Sequence, residues 1–164
     1  MVKKMGKSNR DLVKDLDVDK VIEQLNKAYA DEWVAFYQYL TMAFIATGHR
    51  AFAFANAVKD IAMVELEHLE ELAERMNQLG TQPIIPISEL NEKANCKFPK
   101  KIPEETDLEG MAKLILHDER CAIEVYDKIM EMTKDKDTVT YNLALHIIEE
   151  EIEHEDKMMT FLGE

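Results

Sequence analysis

The sequence predicts an all-α protein: a four-helix bundle with one long crossover between the second and third helices. Three observations predict it. The chain is 46% hydrophobic and rich in Met, yet holds only 5 Gly and 4 Pro in 164 residues, a mix that favours helix. Apolar residues recur at i, i+3, i+4 and i+7 in four segments. All four prolines, Pro83, Pro86, Pro99 and Pro103, fall within one stretch, residues 80–106, which reads as an irregular connection.

The first helix is expected at 18–47, with the stripe Leu25, Tyr29, Glu32, Phe36, Tyr39, Ala43. The second, at 51–79, carries Val58, Ile61, Glu65, His68, Leu72, Met76. The third, at 107–133, carries Leu108, Ala112, Ile115, Glu119, Ala122, Tyr126, Ile129, and Asp107 is its expected N-cap. The fourth, at 137–162, carries Leu143, Ile147, Glu151, His154, Met158, Leu162. Short turns make the first and second helices antiparallel, and likewise the third and fourth. Residues 18–162 form the bundle and residues 1–17 an N-terminal tail, whose basic start holds Lys3, Lys4, Lys7 and Arg10 and is read as frayed.

Acids stand inside these stripes. Glu32, Glu65, Glu119 and Glu151 occupy positions where Leu or Ile belongs, as do His68 and His154. An unpaired buried carboxylate costs several kcal/mol, so four in one core must be neutralised. A single Glu-x-x-His is no more than a common surface pattern. Here it occurs twice, and each copy follows a lone Glu by nearly the same distance: Glu65 comes 33 residues after Glu32, and Glu151 comes 32 after Glu119. Tyr39 and Tyr126 each follow the first Glu of their half by seven. The chain is thus a pseudo-repeat of two helix hairpins. Four carboxylates balance two divalent cations, and two neutral imidazoles add ligands without charge. Oxygen-rich ligation with one His per ion suits iron or manganese.

At these residues the chain resembles the ferritin-like di-iron proteins, whose sites take one Glu from each of two helices and Glu-x-x-His from the other two. "LNKAYADEWVAFYQYL" (25–40) and "VELEHLEELAERMNQLGTQP" (64–83) resemble the first two helices of bacterioferritins. Bacterioferritins carry a haem-ligating Met directly after the second-helix Glu. Leu66 stands there, so no haem is expected. The two cysteines, Cys96 and Cys121, add a resemblance to the Dps-like mini-ferritins called thioferritins. That resemblance implies a dodecameric homo-oligomeric shell, a bacterioferritin-like site inside each bundle, and a redox-active cysteine pair. From residue type alone, two inert buried thiols are the slightly better reading.

The resemblance implies a ferroxidase with two iron ions per subunit, with manganese or zinc as substitutes. Its substrates are ferrous iron and hydrogen peroxide, with oxygen as a secondary oxidant. Glu65 and Glu151 are the expected bridging ligands, Glu32 and Glu119 the terminal ones, and His68 and His154 each cap one ion. Tyr39 and Tyr126 are read either as groups that bond the ligands or supply an electron, or as core packing. An acid just before the Glu of Glu-x-x-His is a common outer partner for a histidine ligand. Glu150 fits and Val64 does not, so asymmetry is expected. His117 is read as pointing away from the stripe of the third helix, His49 as lying in a turn with Gly48, and His146 as bordering the core of the fourth helix.

A net charge of −13 repels phosphate, so direct DNA binding is not expected. No stretch has the length of a membrane span and no apolar leader follows the start, so the chain is read as cytoplasmic. Two rivals remain at this stage. One is a rubrerythrin-like peroxidase without storage, although paired CxxC motifs are missing. The other is a non-catalytic helical interaction bundle with solvated acids.

Overall fold

A computed structural model describes residues 5–13, 15–83 and 86–164, apart from the Arg10 side chain. Lys3, Lys4 and the Arg10 side chain, part of the expected basic tail, lie outside the described residues. Helix α1 spans Lys7–Leu12, α2 Val18–Ile45, α3 Ala51–Gln78, α4 Leu90–Lys93, α5 Leu108–Thr133 and α6 Thr138–Leu162. A 3₁₀ turn, Ile87–Glu89, precedes α4. The four long helices form the expected bundle, with α2 packed on α3 and α5, and α6 packed on α5 and α3.

Each long helix starts or stops for a local reason. Asp17, Asp107 and Asp137 accept the backbone N–H of Lys20, Gly110 and Thr140, three residues on, and so cap α2, α5 and α6. Gly48, at φ 99°, supplies the left-handed step that turns α2 back into α3. The crossover covers the full length of the bundle. It leaves beside α1, where the Asn9 amide donates to the Gln78 carbonyl (2.7 Å). It returns beside the far end of α2, where the Thr47 N–H donates to the Glu105 carbonyl (2.8 Å).

Two segments hold more order than the sequence suggested. The expected frayed tail contains α1, held by Asn9, with Met5 and Leu16 packed on the core. The crossover contains the 3₁₀ turn and α4. Both are too short for a hydrophobic period to announce.

The core runs the length of the bundle through Leu25, Met42, Phe54, Ile61, Leu72, Met111, Ile115, Ile129 and Ile147, all at most 1% exposed. At the α1 end lies a buried polar knot. The Arg75 guanidinium donates to both Asp137 carboxylate oxygens (2.9 and 2.8 Å), and its Nε donates to the Thr140 hydroxyl (2.8 Å).

Candidate metal centre

Six side chains from four helices meet halfway along the bundle. Glu32 comes from α2, Glu65 and His68 from α3, Glu119 from α5, and Glu151 and His154 from α6. None is more than 2% exposed. Helical periodicity explains the convergence: i and i+3 share a face, so each Glu-x-x-His turns both groups inward together.

The geometry divides into two clusters. Glu32, Glu65, His68 and Glu151 offer ligand atoms within 4.8 Å of one another, and so do Glu65, Glu119, Glu151 and His154. Glu65 and Glu151 belong to both. His68 Nδ1 lies 3.0 Å from Glu65, 3.4 Å from Glu151 and 3.9 Å from Glu32. His154 Nδ1 lies 3.3 Å from Glu151, 3.4 Å from Glu65 and 3.6 Å from Glu119. The two halves thus repeat one arrangement about a pseudo-twofold axis.

Four oxygens here have no hydrogen-bond partner although buried: Glu65 Oε1, both oxygens of Glu119, and Glu151 Oε1. Buried acceptors are ordinarily satisfied. Four orphaned oxygens and two inward-facing imidazole nitrogens make a donor set that fits two divalent cations. Protons reveal the same demand. Burial drives the Glu32 and Glu119 carboxyls well above their usual range, with neighbouring carboxylates adding to the effect. Burial opposes charge on His154, but the surrounding carboxylates of Glu119, Glu151 and Glu65 push it up to about 12. His68 is likewise driven above its usual range, by Glu151, Glu32 and Glu65 against the burial penalty. Glu151 goes the other way: burial raises it, but its close neighbours Glu119, His154 and His68 win and hold it low. These opposed shifts show a cluster that favours added positive charge.

The tyrosines differ. The Tyr126 hydroxyl donates to Glu32 Oε1, across the pseudo-twofold axis. Tyr39 is 1% exposed and lies beside Glu119, whose charge adds to burial in raising its phenol. Glu150 lies 2.9 Å from His68 Nε2, so its partner is the histidine of the other Glu-x-x-His. With Val64 at the matching position in α3, the outer surroundings are asymmetric. His117 faces outward and His49 is exposed in its turn. His146 borders the core, as expected. It sits one position from the buried stripe through Ile147, with its side chain half exposed, 3.6 Å from Glu71 and 3.7 Å from Glu150.

Cys96 and Cys121 form a disulfide, Cα–Cα 5.9 Å, tying the crossover to α5. Cys96 is 2% exposed and Cys121 partly exposed. A small cavity of about 10 Å³ lies between Cys96 and the centre, lined by Asp31, Asp118, Phe98, Ala122 and site residues.

Asp31 and Asp118 are buried, at 4% and 3% exposure, and were not singled out by sequence reasoning. Burial raises both carboxyls from 3.8 to about 6. A signal existed: each directly precedes the first ligand Glu of its half, so "DE" recurs at 31–32 and 118–119.

A four-helix bundle holding a buried four-carboxylate, two-imidazole centre defines a class of cation-binding helical protein. The chain belongs to the ferritin-like family, matching the ferritin-like domain over residues 22–164. It is 39% identical over 153 residues to the DNA protection during starvation protein of Pyrococcus furiosus, spanning 92% of this chain and 82% of that one. It is 32% identical over 136 residues to a bacterioferritin of Desulfovibrio desulfuricans, spanning 82% and 70%. Among solved structures it is similar to the bacterioferritin-related dodecameric thioferritin of Bacteroides fragilis, with TM-score 0.85, 32% identity, and coverage of 90% and 87%. Dps from Staphylococcus aureus shares the fold, with TM-score 0.80 at 18% identity.

Proposed function

We propose that the chain is a ferroxidase of a Dps-like mini-ferritin. It oxidises ferrous iron with hydrogen peroxide, and with oxygen secondarily, stores ferric iron in a dodecameric shell, and limits oxidative damage. The observation that carries this reading is the pair of clusters sharing Glu65 and Glu151. Such a pair would give each of two adjacent ions one imidazole and one further carboxylate, which supports the reading. Similarity to the thioferritin and to the starvation protein supports the shell and the protective role.

Two ferrous ions are the substrate. Glu65 and Glu151 hold both, Glu32 and His68 hold one, and Glu119 and His154 hold the other. Each ion gives one electron. Peroxide takes both electrons with two protons, its O–O bond breaks, and two waters leave. This match of two electrons to two ions is why a paired site suits peroxide. The charge then exceeds by two what the four carboxylates balance, which favours hydrolysis of the ferric ions by water, with loss of protons to solvent, and their release to the store. Tyr126 holds Glu32 in place through its hydroxyl. Manganese or zinc fits the same oxygen-rich set as a substitute. Leu66 offers no haem ligand, and the acidic surface disfavours direct DNA binding. The reading places the protein in the cytoplasm; no helix among the described residues is long and apolar enough to cross a membrane.

The test is anaerobic loading with ferrous ion, then stopped-flow mixing with peroxide or oxygen. The expected outcome is two irons oxidised per chain, faster with peroxide, and none in Glu65→Ala or Glu151→Ala. Failure to bind ferrous ion refutes the centre. Light scattering on the same protein should give twelve times the 19.0 kDa chain; a much smaller particle removes the storage role.

A further inference from the structure

The disulfide joins two sulfurs in unlike surroundings. Cys96 is 2% exposed and lines the inner cavity beside the centre. Cys121 is partly exposed and lines an outer groove of about 580 Å³, whose walls do not include Cys96. That groove is charged in both signs. Lys97 and Lys113 stand exposed on it, with no ion-pair partner among the described residues. Glu124 and Glu164 supply its acids. Arg120 is already taken by Glu155, at 2.6 Å. Helical spacing sets Lys113, Cys121 and Glu124 on one face of α5, with Lys113 two turns, or about 12 Å, before the sulfur and Glu124 one turn after it.

We infer that this groove binds a small zwitterionic thiol, of amino-acid or short-peptide size, and that Cys121 is the sulfur this thiol attacks. The inference gives the expected redox-active pair its reductant. It rests on the disulfide and not on the metal centre. Access comes first. A thiolate must reach one sulfur of the bond it opens, and Cys121 is the one that meets solvent. Size comes next: about 580 Å³ falls within the roughly 300–1,000 Å³ of small-ligand sites. Charge decides the class. A chain of net charge −13 repels an approaching thiolate. Lys97 and Lys113 offset that repulsion locally and receive carboxylates, while Glu124 receives an ammonium group. In the first step the thiolate bonds to Cys121 Sγ, the Cys96–Cys121 bond breaks, and its electron pair stays on Cys96, which takes up a proton. A second thiolate attacks the sulfur of the bound thiol, and Cys121 leaves and takes up a proton. Two thiols thus become one disulfide, and the protein disulfide gains two electrons and two protons.

The test uses the full-length protein in its disulfide form, treated with chelator so that no metal contributes. Opening of the disulfide is followed with glutathione, its diethyl ester and 2-mercaptoethanol at equal thiolate concentrations and low salt. Glutathione should react about fivefold faster than its diester, the scale of two exposed charge pairs. The double variant Lys97→Gln, Lys113→Gln should remove that advantage and leave the 2-mercaptoethanol rate unchanged. Samples quenched in acid partway, then unfolded and alkylated, should carry glutathione on Cys121 and the alkyl group on Cys96. Glutathione on Cys96 instead overturns the inference. So do equal rates for glutathione and its diester, and so does a disulfide that glutathione leaves closed and only a dithiol protein opens. Because no metal takes part, each of these outcomes leaves the ferroxidase reading to its own test.

Discussion

Glu150 is where a single residue breaks the symmetry of the two halves. It contacts His68 Nε2, while Val64, its counterpart in α3, offers His154 nothing. An outer carboxylate orients a histidine ligand and raises its basicity, and losing one typically costs 10–100-fold in metal affinity. Glu150→Ala should therefore weaken one of two cobalt sites by about that factor and spare the other. Anaerobic titration, with the visible bands of each site followed separately, checks it; equal weakening of both would show that Glu150 acts on the bundle as a whole. At this scale the sequence was legible wherever a polar residue stood in an apolar stripe, which revealed all six ligand candidates. It was less legible wherever a partner came from another helix. Glu150 could be read as an outer acid, but not that it reaches across to α3. Asp31 and Asp118 stayed hidden because each sits beside a stripe rather than in it, and only packing shows it buried.

Helices depend on how their ends are tied. The C-terminal half of α3 is joined to the start of α6 by Arg75, which is 3% exposed and gives both its Asp137 bonds to a residue that is fully buried. Asp137 also caps α6 through the Thr140 N–H (3.1 Å). Removing one partner of a buried pair strands the other charge, at a cost of about 3–5 kcal/mol. Arg75→Ala should lower unfolding stability by about that amount in urea titrations, with the slope unchanged. A loss under 1 kcal/mol would mean that water replaces the guanidinium. The same knot marks the limit of periodicity. The four long helices were predicted to within two residues at either end, because each buries a face through many turns. Helices α1 and α4, at six and four residues, are set by contacts with the bundle, and no local pattern records those.

The whole molecule carries more buried acid than it can keep charged without cations. Burial lifts Asp31 and Asp118 from 3.8 to about 6, so the folded metal-free chain binds protons that the unfolded chain has lost. Their stabilising share is complete below 3.8 and disappears as pH rises through about 6. Asp137 and Glu151, both held low, act in the opposite direction under more acidic conditions. The thermal midpoint of chelated protein should therefore fall between about pH 4 and 6. At neutral pH a divalent ion at one hundred times its Kd should restore about 2.7 kcal/mol per site. Calorimetry with chelator and with manganese checks both; a flat profile would mean that the aspartates are hydrated. The disulfide gives the chain a second covalent link between its two hairpins. The crossover supplies none of the six ligands, and its exposed Lys100 and Lys101 lie between Cys96 and Cys121. A trypsin cut there leaves one cysteine on each fragment and each hairpin whole. The nicked protein should run as one band on a gel until a reductant is added, and as two afterwards. Continuity between the hairpins would then have passed from the peptide backbone to a single sulfur–sulfur bond.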